Sequence, residues 1–146
     1  MLIKEHKIWT PDNSFLLEYL ERIRSGEIIA GQELIMELSN LEEDLFHNDE
    51  FYYDRSDALL RMDFMEHCVR LTKSPFYNKP MVLMLWQKAF IEVSYSFKMS
   101  KDHLDRFRKI ILLIARKNTK SETCSGLATT ELFVGNEGSD IVCSSN

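Results

Sequence analysis

The sequence predicts an α/β chain in which a helical N-terminal region, residues 1–107, leads into the first β-α-β unit of an α/β domain over 108–146, the chain as a whole being mainly helical. Three observations predict this. Before residue 100, apolar residues recur at three- and four-residue spacing in four separate segments. Residues 109–115, KIILLIA, then form a short unbroken apolar run rich in branched side chains, the pattern of a buried parallel strand. A helical stretch over 121–134 separates that run from a second one, SDIVCSSN.

Residues 14–24 place Phe15, Leu16, Tyr19, Leu20 and Ile23 on one helical face, with Asn13 or Ser14 as the cap and Gly26 as the stop. A second helix is predicted over 31–46 from Leu34, Leu38, Leu41 and Leu45, with acids opposite. HNDEFYYD reads as a polar, aromatic connection. Ser56 opens a third helix whose stripe is Leu59, Met62, Met65 and Val69, and KSPFYNKP breaks it. A fourth, over 80–98 with Pro80 near its first turn, carries Leu83, Trp86, Phe90 and Val93 on one face. In the last helix Leu127, Leu132, Phe133 and Val134 are the apolar residues.

With 45% apolar and 28% charged residues, five Gly and three Pro, the composition is that of a globular chain, which excludes a disordered or collagen-like one. The net charge of −5 is unevenly spread. Residues 31–70 hold eleven acids against Arg55, Arg61 and Arg70, whereas 101–120 hold seven bases against Asp102 and Asp105. That basic block is either a solvated face or a surface for a polyanion, and the overall acidity argues against a dedicated nucleic-acid-binding domain. Cys68, Cys124 and Cys143 include no CxxC pair and read as reduced cytosolic thiols, consistent with a cytoplasmic protein. No run approaches the ~18 apolar residues of a membrane span, and the N-terminus lacks a signal-peptide pattern. His47, His67 and His103 lie on separate elements without metal-ligand spacing.

The strand-to-helix junction after residue 115 carries the chemistry. A phosphate-binding P-loop needs a strand ending in a tight turn, a Lys to reach the β/γ oxygens, and a Ser or Thr for magnesium, all beside the positive end of a helix. Lys120-Ser121 occupies that position. The usual pattern has glycine six residues and one residue before the Lys, where this chain has Ile114 and Thr119. A β-branched residue at 119 resists the backbone conformations glycine permits, at a cost of about 1–3 kcal/mol. The alternative is an ordinary strand-to-helix turn with solvated bases.

ARKNTKS, residues 115–121, resembles the deviant Walker A loop of phage terminase large subunits, which reads closely as A-R-K-N-G-K-S. SGEIIAGQELI (25–35), the EDLF of the second helix and the YYD near 52–54 look like that family's N-terminal helical region, and MLWQKAFI (84–91) is similar to its adenine-recognition segment. The resemblance implies an ATP-driven motor that packages and cuts viral DNA in the host cytoplasm, an ATPase and endonuclease using ATP and magnesium. It implies double-stranded DNA, a portal protein and a small terminase subunit as partners. Within the loop it implies that Arg116, Lys117, Asn118, Thr119, Lys120 and Ser121 bind nucleotide. Lys120 would meet the β/γ-phosphates, Ser121 would coordinate the magnesium of ATP, and Arg116, the tentative catalytic group, would approach the γ-phosphate. Gln87 would read the adenine edge. Beside this stand plainer readings: Gln87 as an amide capping a neighbouring chain, Trp86 as core, Arg116 and Lys117 as solvated bases.

The sequence contains neither the magnesium-binding acid nor the water-activating acid of such an ATPase, so no catalysis is expected from these residues alone. Either an expressed fragment or a truncated prophage product is compatible with that. Residues 139–146, at the edge of the predicted sheet, are expected either to be poorly ordered or to pair with another copy of the chain. The competing reading is a helical protein–protein interaction module over 1–107, or a decayed prophage remnant that binds no nucleotide.

Overall fold

The computed structural model describes residues 8–47, 49–115, 117–135 and 141–142. Among them are five helices and one two-stranded antiparallel sheet: α1 (Phe15–Arg24), α2 (Gln32–His47), β1 (Phe51–Tyr53), α3 (Ser56–Cys68), α4 (Leu85–Ser96), β2 (Phe97–Met99) and α5 (Lys120–Val134).

Helix α1 begins where Ser14, in extended backbone, accepts the Leu17 N–H on its hydroxyl. Asn13 instead closes the preceding turn, its Oδ1 accepting the Thr10 N–H at 2.9 Å. Leu16, Leu17, Leu20 and Ile23 are buried, and Gly26 leaves the helix at φ 80°. The predicted cap and stop therefore lie as the sequence indicates. At α3 the cap comes from outside the helix: Asp54 accepts both the backbone N–H of Ser56 at 2.9 Å and its hydroxyl at 2.7 Å. Leu59, expected on the buried stripe, is exposed, and Arg61 is buried alongside Met62 and Met65.

Helix α4 is central, packing against both α1 and α3 while α5 packs on α3. One core joins Leu16, Leu20 and Ile23 of α1 to Leu38 and Leu41 of α2 and to Phe97. The other joins Ala58, Met62 and Met65 of α3 to Met81, Leu83 and Ile91. Each buried aliphatic of this kind contributes roughly 1.5–3 kcal/mol through removal from water. Because α4 has neighbours on several sides, its buried residues fall on two opposite sides, Gln87, Ile91 and Ser94 on one and Ala89, Glu92 and Ser96 on the other, while Trp86, Phe90 and Val93 are half-buried.

Three expectations need correction. The predicted helix over 80–98 is shorter: Pro80 lies before it in an isolated bridge to Arg70, and Phe97–Met99 is strand β2. Its partner β1 lies within the segment read as a connection, with Phe51 opposite Met99 and Tyr53 opposite Phe97. Aromatic residues favour such a pleated, half-buried surface, and Tyr53 and Phe97 meet edge to face at 4.9 Å.

Third, the expected strand over 109–115 is neither helix nor part of a ladder. Ile141 and Val142 form no ladder either, and the rest of 139–146 lies outside the described residues. The parallel β-α-β unit is thus not formed among the described residues, since an apolar run becomes a strand only when a neighbour takes up its backbone groups. Residues 110–114 instead border α2 and α4, with Leu112 and Ile114 half-buried and Ile111 and Leu113 exposed. Exposure alternates along 111–114 without ladder hydrogen bonds.

Candidate functional site

Helix α5 starts at Lys120, so the Lys-Ser pair sits in its first turn, where the helix dipole is positive. The preceding residues form a sharp turn in which Lys117 has φ 68° and Thr119 φ 54°, both left-handed. Thr119, at the position where the P-loop pattern has glycine, thus holds the backbone shape glycine would favour. Its hydroxyl does not cap α5. Instead the hydroxyl donates to the Asn118 carbonyl at 2.8 Å, and the Thr119 carbonyl accepts both the N–H and the hydroxyl of Thr123 at 2.9 and 2.8 Å.

Gln87 reaches this turn from the first turn of α4. It is 1% exposed. Its Oε1 accepts the Met84 N–H at 2.7 Å, and its amide nitrogen donates to Thr123 Oγ1 at 2.7 Å and Thr119 Oγ1 at 3.3 Å. Both ends of the amide are occupied by protein groups, so the edge that would read adenine is turned inward. Gln87 and the loop, 32 residues apart in sequence, are nonetheless in direct contact.

Lys117, Asn118, Thr119, Lys120 and Ser121 are all exposed, and Arg116 lies outside the described residues. Asn118 and Ile114 also border an apolar cavity of about 660 Å³ whose walls include Leu38 and Leu41 of α2 and Trp86, Phe90 and Val93 of α4. Of the basic block, Arg106 is paired with Asp44 at 2.6 Å and lies over the Phe51 ring, so it supports the sheet, whereas Arg108, Lys109, Lys117 and Lys120 face solvent. Cys68 and Cys124 are exposed free thiols, and Cys143 lies outside the described residues. His47, His67 and His103 are exposed, and no group of three or more His, Cys, Asp or Glu among the described residues is placed to hold a metal ion. No described helix is long and apolar enough to cross a membrane.

A second polar cluster was not legible in the sequence. Glu92, completely buried on α4, accepts the Ser14 hydroxyl at 2.6 Å, the Tyr53 hydroxyl at 2.6 Å and the Phe15 N–H at 3.1 Å, and pairs with Arg55 at 2.8 Å. Burial, with the adjacent Glu92 carboxylate, pushes the Tyr53 phenol far above its usual range, so it remains a donor. The donors come from two short stretches, 14–15 and 53–55, far in sequence from Glu92, and no local spacing announces the cluster.

No protein family, curated protein or solved structure matches the chain.

Proposed function

We propose that this chain carries the ATP-binding loop of a DNA-packaging motor of the terminase large-subunit type, with residues 115–121 holding the magnesium–triphosphate at the start of α5. The observation that carries the reading is the left-handed Thr119 immediately before Lys120. A β-branched residue keeping a glycine-like turn beside a helix N-terminus supports a loop shaped to approach an anion. Exposed Lys120 would meet the β/γ-phosphates and Ser121 the magnesium, and Arg116 is proposed near the γ-phosphate by resemblance. Magnesium would supply charge neutralisation on the phosphate oxygens, while the residues of this chain bind and orient. The triphosphate half of the ligand fits exposed groups. An adenine contact through Gln87 would require its amide to leave Thr123. Double-stranded DNA, a portal protein and a small terminase subunit remain proposed partners on the same resemblance.

Calorimetric titration of the protein with a magnesium-bound, non-hydrolysable ATP analogue tests this. Lys120→Ala is expected to lose about 1.5–3 kcal/mol, a tenfold to hundredfold weakening. Thr119→Gly should bind equally well or better, because glycine adopts φ 54° without strain. Unchanged binding by Lys120→Ala would remove the loop as a phosphate cradle and leave an interaction module over 1–107 as the better reading.

A further inference from the structure

Thr119 needs an explanation of its own, because a β-branched residue resists the left-handed conformation in which it is found. Two hydroxyls and one amide surround it. The amide nitrogen of Gln87 carries two hydrogens; one goes to Thr119 Oγ1 at 3.3 Å and the other to Thr123 Oγ1 at 2.7 Å. The Thr123 hydroxyl passes its own hydrogen to the Thr119 carbonyl at 2.8 Å. Thr119 is therefore gripped at its side chain directly and at its carbonyl through Thr123. Gln87 and Thr123 are both buried, and the Gln87 oxygen is anchored to the Met84 N–H just ahead of α4.

We propose that Gln87 is the positioning residue of the loop: it clamps Thr119 in the left-handed turn, so that the turn preceding Lys120 is formed before any ligand arrives. The clamp takes over what a glycine would supply by intrinsic freedom, and it ties the loop to the first turn of α4. Its functional consequence rests on the reading of the loop as a triphosphate site; the clamp itself is a property of the free protein.

The test is a double-mutant cycle over Gln87→Ala and Thr119→Gly, read in two ways. Amide hydrogen exchange in the ligand-free protein follows the Thr123 N–H, which is bonded to the Thr119 carbonyl. Titrations with inorganic tripolyphosphate and with the ATP analogue follow binding. With Thr119 present, Gln87→Ala should speed exchange at Thr123 about tenfold and weaken both ligands about tenfold; in the Thr119→Gly background the same change should alter either by less than about threefold. Because Gln87→Ala opens a buried site, Thr119→Val is the second arm. It keeps the branched strain but removes the acceptor, and should speed exchange about tenfold where Thr119→Gly does not. Equal effects of Gln87→Ala in both backgrounds, or unchanged exchange in Thr119→Val, would overturn the clamp. Loss of ATP-analogue binding with tripolyphosphate binding intact would also overturn it, by assigning Gln87 to the base. If neither ligand binds any variant or the wild type, the nucleotide reading fails, and the exchange cycle still decides whether the clamp exists.

Discussion

A carboxylate with no exposed surface is costly unless every lone pair is met, and Glu92 meets that condition with Ser14, Phe15, Tyr53 and Arg55. It holds the first turn of α1, the sheet residue Tyr53 and the Arg55 side chain to the middle of α4. Glu92→Gln keeps the shape, but it removes the charge facing Arg55 and places an amide N–H₂ among groups that donate. The expected loss is about 3–5 kcal/mol of unfolding free energy, measured by urea denaturation. A loss under about 1 kcal/mol would mean the cluster is solvated in solution. At this scale the sequence was legible wherever the partner was local: the Ser14 cap and the Gly26 stop follow from neighbours within a few residues. Glu92 was not, because its partners stand 37 to 78 residues away. Residues 115–121 were readable as a phosphate-loop pattern, but the inward turn of Gln87 depends on Thr123, which no motif names.

Helix α5 shows why one element was found while its packing face was not. The sequence places a helix at 121–134, and the structure has Lys120–Val134. Yet Leu132 and Phe133 are exposed, and the buried stripe is Thr123, Gly126 and Thr130. Small residues let the helix approach α3 closely: a Cβ on Gly126 would lie 2.7 Å from the Met65 Cε. The Thr130 hydroxyl is satisfied by the carbonyl of Gly126 at 2.8 Å, so the stripe is polar in letters but not in unmet hydrogen bonds. The far end of α5 is fastened by Glu131, which pairs with Arg61 at 2.5 Å beneath the Tyr95 ring, 4.2 Å from the guanidinium. Burial raises the Glu131 carboxyl, but the Arg61 and Tyr95 hydrogen bonds and the Arg61 charge outweigh it and hold it below the usual range near 4.5. Burial and the same Glu131 contact push the Tyr95 phenol up to about 12. For a depressed carboxylate, the stabilisation is present above the unfolded value and is lost as pH falls through the folded one. The α5–α3 contact is therefore expected to weaken below about pH 4, in the acid limb of a thermal-melting series. Glu131→Gln should be less stable at pH 7 and show a flatter acid limb. An acid limb as steep as that of the wild type would assign the pH dependence to other carboxylates.

For the molecule as a whole, two cores share α4, and part of the exposed apolar surface lies in the segment leading to the loop. Ile111 is 90% and Leu113 92% exposed, although both stand at the rim of the cavity that Leu112 and Ile114 also border. This unbroken apolar run reads in sequence as a buried strand, and it is not one, because an apolar run shows which side chains seek burial and not whether a neighbouring strand is present to receive them. Two branched side chains left in water on backbone without ladder bonds offer a surface on which another chain can pair. Self-association is therefore expected to grow with concentration in sedimentation-velocity experiments. Leu113→Lys should suppress it, since a charge on this exposed side chain opposes stacking while leaving Leu112 and Ile114 in place. Leu112→Lys would instead place a charge against α2 and α4 and is expected to destabilise the fold, so the two variants separate loss of association from loss of structure. A wild-type protein that stays monomeric over a hundredfold concentration range would mean that Ile111 and Leu113 are covered by this chain's own residues, and Leu113→Lys should then lower the melting temperature rather than change the mass.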